Sequence, residues 1–530
     1  MRRFGLHAPA IAAAWLTVAG MLTAMPASAG ASEPQRGRAR EPRVLRVGTW
    51  DDHRGAFEHI QDAVDAAHPG DWILVAPGDY HERADYTGHQ VAPGKAGAGV
   101  LIRTPGIHLR GLDRNRVVVD GTKPGANRCD PSPAAQDFGP LNAGGRPAGR
   151  NGIEVFEADG VTIENLTVCN FLDGGSGGGN QIWFNGGDGS GHVNLGSFRG
   201  SYLSATSTFY AGSSSPRAEY GIFASNSRGP GVIAHTYASN MADSSYYVGA
   251  CPDCNTLVTD AHAQNSALGY SGTNAGGHLV IEHSEWDHNK TGISTNSQNN
   301  DDAPSPQSGA CPGSSPVRSC TFFRHNSIHD NNNPNVPQSG SAGLGPVGTG
   351  MVVAGGRFDT ITANRFERNG AWGLLLVPFP DGGTPPPIAH CEGGQQQPGL
   401  CFYDDWGNEV AGNRFRGNGF FANPTNGDGG EISGPNTPGN CWHDNIDRAG
   451  FTSAPDNLQV THGTCGVPNQ GADLGHPLTA QVICDTEVFG PCADAPGKHY
   501  PRATTVALLA LPRQRSMPDP CDDVASRSWC

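Results

Sequence analysis

Asp287, His288, Lys290, Arg324, His329 and Asp330 are the residues whose types and spacing could do chemistry together. Asp287-His288-Asn289-Lys290 and His329-Asp330-Asn331 close two copies of one short repeat. If those copies stack as neighbouring strands, about 4.8 Å apart, Asp287 and His288 lie beside His329 and Asp330. Earlier in the same copies Glu282 then meets Arg324, and His283 meets His325. Such a group offers what uronate chemistry requires: something to neutralise the carboxylate, a base for the C5 proton, and for many substrates an acid for the leaving oxygen or the opposite face. Lys290, Arg324 or a calcium ion held by Asp287 and Asp330 could serve the first role, and a histidine or Lys290 the second. The alternative is that these side chains only cover a solvated exterior, with Glu282 and Arg324 a surface ion pair that contributes little.

The repeat that must position them is visible in segments 231–240, 256–265 and 279–289, whose final asparagines step by 25 and then 24 residues. Asn165-Leu-Thr-Val-Cys-Asn170, Asn326-Ser-Ile-His-Asp-Asn331, Asn364-Arg-Phe-Glu-Arg-Asn369 and Asn413-Arg-Phe-Arg-Gly-Asn418 follow the same rule. A unit this short cannot bury its own apolar face, so neighbours must stack as a solenoid. Aligned on the asparagines, Thr167, Tyr237, His262, Trp286, Ile328, Phe366 and Phe415 form a mostly large, apolar column. That column is expected to point inward, which makes His262 a core or semi-core histidine. The asparagines, among them Asn240, Asn265 and Asn289, suit turns and bonding between stacked copies.

Upstream, Phe57, Ile60, Val64 and Ala67 have helical spacing over 57–67, Pro69-Gly70 ends the helix, and Trp72-Ile-Leu-Val-Ala76 reads as a buried strand. The segment from Ile60 to Glu82 resembles the entry of bacterial right-handed parallel β-helix proteins of the pectate-lyase-like superfamily. Gly99-Val-Leu-Ile-Arg103, Ile107-His-Leu-Arg-Gly111 and Arg116-Val-Val-Val-Asp120 are similar to its next short strands. The resemblance covers about residues 45–420. It implies an all-β fold: a right-handed single-stranded parallel β-helix with an N-terminal capping helix. The superfamily holds lyases, hydrolases, epimerases and proteins without known catalysis, so fold does not settle activity. Glu285-Trp-Asp-His288 is similar to the tryptophan, aspartate and histidine motif of pectate lyases but lacks the residue separating tryptophan from aspartate. Of the polygalacturonase motifs only Asp301-Asp302 is present, so a triple-aspartate hydrolase is not expected.

The remaining segments frame this core. Residues 1–29 read as a signal peptide with cleavage after Ala29, and 30–43 as a flexible leader. The β-helix is expected over 44–435, with loop insertions at about 171–219, 291–319 and 378–406. The first insertion, rich in aromatics such as Trp183 and Phe209, reads as self-packing or as a degenerate coil, with a sugar-stacking platform as the functional reading. Residues 436–530 read as a cysteine-rich C-terminal cap or appendage. Export suits the 14 cysteines, whose close pairs Cys251/Cys254, Cys311/Cys320, Cys391/Cys401, Cys484/Cys492 and Cys521/Cys530 suggest local bridges. A formal charge of −15 argues against nucleic-acid binding, and no second apolar run could span a membrane. No zinc spacing, phosphate loop or nucleophile elbow occurs. The sequence therefore points to a secreted, monomeric protein that meets extracellular polysaccharide. It acts there by β-elimination or C5 epimerisation of uronates, with calcium the one cofactor its carboxylates invite. The alternative is a non-catalytic glycan- or cell-wall-binding or structural exoprotein.

Overall fold

Segment 279–296 shows how one repeat becomes one coil. Leu279–Glu282, Glu285–Asp287 and Thr291–Asn296 are strands, and left-handed turns at His283 (φ 49°) and His288 (φ 56°) redirect the chain between them. Successive strand side chains face opposite sides, so Leu279, Ile281, Trp286 and Ile293 are buried while Glu282 and Glu285 point out. The inner faces are covered by neighbouring coils: Ile281 pairs with Phe323, and Trp286 with Ile328, then Phe366 and Phe415. A computed structural model describes residues 41–86, 95–214, 216–297, 311, 320–381, 395–397, 400–473, 477–486, 500–524 and 529. Pro42–Cys530 forms one compact unit, in which the coils build a 21-stranded and an 11-stranded sheet. The pairings within both sheets are parallel, for example Thr291 on Leu268 and Met351 on Ile293. The chain is thus a parallel β-helix. The signal peptide, nearly all of the leader and Asp301-Asp302 lie outside the described residues.

Asparagine ladders fix the register. The Asn331 side-chain oxygen accepts the Asn289 amide at 3.2 Å, and its Nδ2 donates to the Trp286 carbonyl at 2.9 Å. Asn369 and Asn418 repeat the pattern, and Asn326, Asn364, Asn413 and Asn445 form a second ladder at the other corner. These buried amides satisfy backbone groups that the turns leave unpaired.

The ladders also correct the expected column. Asn289 bonds the amide of Ser266, not of Asn265, because Asn240 and Asn265 occupy the left-handed position that His288, Asp330 and Arg368 hold in later coils. Aligning on asparagine therefore slips the early coils by one residue. The inward column is Val168, Ala205, Ala238, Ala263, Trp286, Ile328, Phe366 and Phe415. Thr167, Tyr237 and His262 face outward, so His262 is not a core residue.

Other boundaries shift for similar reasons. The stretch 171–219 contains a coil of its own: Asn180–Asn185 pairs with Arg150–Phe156 and Tyr220–Ser225, and Phe198–Ser201 with Val161–Glu164. Trp183 and Phe223 stack on each other at 5.1 Å, and Tyr247 lies edge-on to Phe223 at 4.7 Å. That arrangement favours packing over a sugar platform. Coils continue beyond 435 through Cys441–His443 and Ser453–Ala454. Helix α1 is shorter than expected, Ile60–Ala66, and its Ile60 and Gln61 amides bond Glu82 at 2.7 and 3.2 Å. It lies against Val44–Val47, Trp72–Val75 and Gly97–Ile102.

Disulfides Cys251–Cys254 and Cys311–Cys320 follow the close spacings. Cys129–Cys169 and Cys441–Cys465 are longer-range. Cys391, Cys492 and Cys530 lie outside the described residues. Within the C-terminal region, Leu458 and Ala472 pack into the core beside Trp442, and the described residues from 507 onward run back along the coils as a strap. Ala507 and Leu509 bond Asn265 and Asn240, Gln514 bonds Asn115, Met517 bonds Asn165, and Trp529 packs beside Trp72 and Leu112.

Burial within this stack perturbs several acids. Asp359, fully buried with neither carboxylate oxygen paired among the described residues, is pushed up to about 8 by burial. Glu154 is pushed up to about 7 by burial, against Asn185 and Asn151. Protons held in the folded state are then released on unfolding, so these groups lower stability progressively as pH rises from about 4 towards 8. Asp359→Asn is expected to raise Tm at about pH 9 and to change it little at about pH 4, as read by thermal unfolding across pH.

Candidate active site

Asp287 is the centre of the outward cluster. Its side chain is 4% exposed, lying between the coil of His262 and Gln264 and the coil of His329, with Gln264 and His329 as its register partners. A carboxylate only accepts hydrogen bonds. His262 Nε2–H donates to Oδ1 at 2.6 Å and Gln264 Nε2 to Oδ2 at 2.8 Å, while His288 Nδ1–H makes a short bond to Oδ2. Burial works to raise this carboxyl, but the bonds from His262, His288 and Gln264 outweigh it and hold it well below the usual carboxylate range.

The two histidines bind Asp287 through opposite ring nitrogens. His262, 31% exposed, leaves Nδ1 outside this bond, and its ring meets Tyr237 edge-on at 5.4 Å. His288, 59% exposed, keeps Nε2 outward, and its hydrogen bond to Asp287 raises its pKa against burial. A neighbouring group extends the cluster. His329 Nε2 faces Glu285 at 3.0 Å and Nδ1 faces Asp330 at 2.9 Å. Both nitrogens meeting carboxylates favours imidazolium, so its pKa is raised, chiefly by the Glu285 bond and against burial. Arg368 closes the row, its Nε donating to Asp330 at 2.9 Å.

The structure brings together Asp287, His288, His329 and Asp330, but it places Lys290 and Arg324 elsewhere. The turn at His288 and Asn289 carries Lys290 around the corner. There its Nζ donates to the Gly343 carbonyl at 2.5 Å and Gln338 at 3.2 Å. Arg324 meets Glu282 at 2.6 Å, as the stacking predicts, on the strand before the bend. It pairs with Glu282, not with Asp287. His283 and His325 stack at 5.1 Å beside that pair.

Sequence reasoning missed His262, Gln264, Glu285 and Arg368. The usable signal was alternation: Ala261-His262-Ala263-Gln264 puts small apolar residues on one face and polar residues on the other.

Side chains able to bind a metal do cluster. His262, Glu285 and Asp287 place ligand atoms within 4.8 Å of one another, as do Asp79, His81 and Asp120. One imidazole and two carboxylates do not match calcium, which takes six to eight oxygens. The expected pair is also engaged: Asp287 by three donors, and Asp330 by His329 and Arg368. Calcium held between Asp287 and Asp330 therefore does not fit this donor set.

No protein-family model matches the chain, and no curated protein matches it. Solved structures do. The A-module of mannuronan C-5 epimerase AlgE6 from Azotobacter vinelandii has a TM-score of 0.41 and 15% identity, covering 67% of this chain and 81% of that one. The Dettilon tailspike protein has a TM-score of 0.40 and 11% identity, covering 79% and 61%. An alginate lyase from Paenibacillus sp. strain FPU-7 has a TM-score of 0.31 and 12% identity, covering 70% and 95%. The likeness is one of fold alone, and no residue role is carried across from it. Among the described residues no helix is long and apolar enough to cross a membrane.

Proposed function

We propose that the chain is exported and acts on an extracellular acidic polysaccharide, abstracting the C5 proton of a uronate at the Asp287 cluster. The observation that carries this reading is one buried carboxylate holding two outward histidines by opposite nitrogens. Asp287 fixes His262 in the tautomer whose Nδ1 can accept a proton. His288 presents Nε2 as the acid, its raised pKa keeping it charged nearer neutrality. In elimination His262 takes the C5 proton and the released electron pair forms the C4–C5 double bond. The C4–O bond breaks as His288 protonates the departing oxygen. In epimerisation the C4–O bond stays intact, and His288 delivers its proton to the opposite face of C5 while His262 keeps the one it took. The His329 imidazolium and Arg368 supply positive potential for the substrate carboxylate.

A second reading, a non-catalytic glycan-binding surface, is favoured by one observation: Asp287, Asp330, Glu285 and Glu367 are all paired within the cluster. Incubation with pectate, alginate and glycosaminoglycans, with and without calcium, separates the readings. Catalysis predicts ultraviolet-absorbing unsaturated uronates or inverted C5 centres by NMR. Unmodified polymer that remains bound to the protein would leave the binding reading instead.

A further inference from the structure

A second site lies on the outer face of the same sheet, where the strap crosses the first coils. Val118 and Thr167, register partners on adjacent coils, floor a groove of about 340 Å³ whose wall is the strap at Leu511 and Pro512. Arg116, Arg128 and Arg513 ring it. All three are exposed, and none makes a side-chain hydrogen bond or ion pair to a described residue. Asp113 is the one acid in the lining, already accepting the Asn115 amide at 2.9 Å. On a chain of net charge −15, three arginines around one groove are a local reversal of sign.

The opposite wall is fixed rather than loose. Cys129 lines the groove and is tied to Cys169 on the strand beneath it. Its amide bonds Asp120 at 2.5 Å, and its carbonyl accepts the Thr208 hydroxyl at 2.6 Å. The strap wall is held by Gln514 on Asn115 and Arg114 on the Arg515 carbonyl. A preformed concavity with an apolar floor and a few converging polar groups is the ordinary form of a small-ligand site.

We propose that this groove binds an acidic saccharide unit, its carboxylate or sulfate taken by the arginines and its C–H face laid on Leu511 and Pro512. Guanidinium forks match planar carboxylates and sulfates with paired hydrogen bonds. The apolar floor selects a sugar ring over a bare anion. Through Ser204 and Tyr237, the site stands three coils, or about 14 Å, from His262. It is an anchoring site separate from the Asp287 cluster and does not depend on the chemistry proposed there.

Titration of the full chain with galacturonate, a galacturonate dimer, galactose and inorganic sulfate tests it by calorimetry. The uronates are expected to bind, galactose is not, and sulfate is expected to compete only weakly. Arg116→Gln/Arg128→Gln/Arg513→Gln should weaken uronate binding by about tenfold or more and leave Tm unchanged. Should the triple variant fold poorly, Arg128→Gln and Arg513→Gln singly should each show a measurable part of the loss. A sulfated monosaccharide bound more tightly than galacturonate, and lost with the arginines, names sulfate as the anion and supports the site. Absent binding, uronate binding indifferent to the arginines, or sulfate ion binding as tightly as the uronate would each overturn it. Turnover is read in parallel: catalysis without arginine-dependent binding removes this site alone, and arginine-dependent binding without catalysis removes only the reading at Asp287.

Discussion

Asp287→Asn is expected to lower turnover on the responsive polyuronate by a factor of about 10² to 10⁴ while leaving the coil architecture in place. The amide has nearly the carboxylate's shape, but one of its two ends becomes a donor. His262 Nε2–H and His288 Nδ1–H both need an acceptor, so at least one histidine must rotate or change tautomer, and either the base or the acid is lost. Weakened substrate affinity with unchanged turnover would point instead to a binding surface. The same variant has a pH signature. Asp287, depressed in the fold, contributes stability that is present above its unfolded value and lost as pH falls. His288, raised in the fold chiefly by its bond to Asp287, contributes stability that is full below its unfolded value and lost as pH rises. The Tm difference between wild type and Asp287→Asn should therefore be greatest between roughly pH 4 and pH 6.5 and narrow on both sides.

Trp286→Ala is expected to reduce unfolding free energy by about 3 to 5 kcal/mol, the largest single-residue loss in the site region. The indole is fully buried beneath the cluster. It lies next in the column to Ala263 and Ile328, with Tyr246 and Tyr270 edge-on at 5.5 and 5.9 Å. Three alanines in the preceding coils, Ala205, Ala238 and Ala263, leave the interior room that Trp286 fills. Removing it leaves a cavity under the strand that carries Asp287. Denaturant unfolding measures the loss, and Trp286→Phe should recover a substantial part of it. Turnover should follow the same order, because the neighbouring carboxylate rides on this strand.

These residues also show what could be read in advance. The pairings Glu282 on Arg324 and Asp287 on His329 follow from the repeat, because a parallel stack brings equivalent positions of successive copies together. Asparagine hides the register because it does two jobs in this repeat. Asn265 occupies a left-handed corner and Asn289 the ladder position after it, so aligning them turned His262 inward by a one-residue slip. Lys290 departs from the expected place because the turn at His288 and Asn289 carries it to the loop holding Gly343. The strap and the Cys129–Cys169 bridge left no periodic trace because they join segments whose nearness is created only by stacking.

Exchange at C5 is the most direct measurement of the central claim. The wild-type chain and Asp287→Asn are incubated with pectate, alginate and glycosaminoglycans in deuterated buffer, and C5 deuterium and unsaturated ends are followed by NMR. Proton abstraction at the Asp287 cluster predicts deuterium at C5, or loss of the C5 proton to a double bond, with at least one polyuronate. It also predicts that this signal collapses in Asp287→Asn. Exchange that persists undiminished in Asp287→Asn, or its absence from every polyuronate with the wild-type chain, would contradict it.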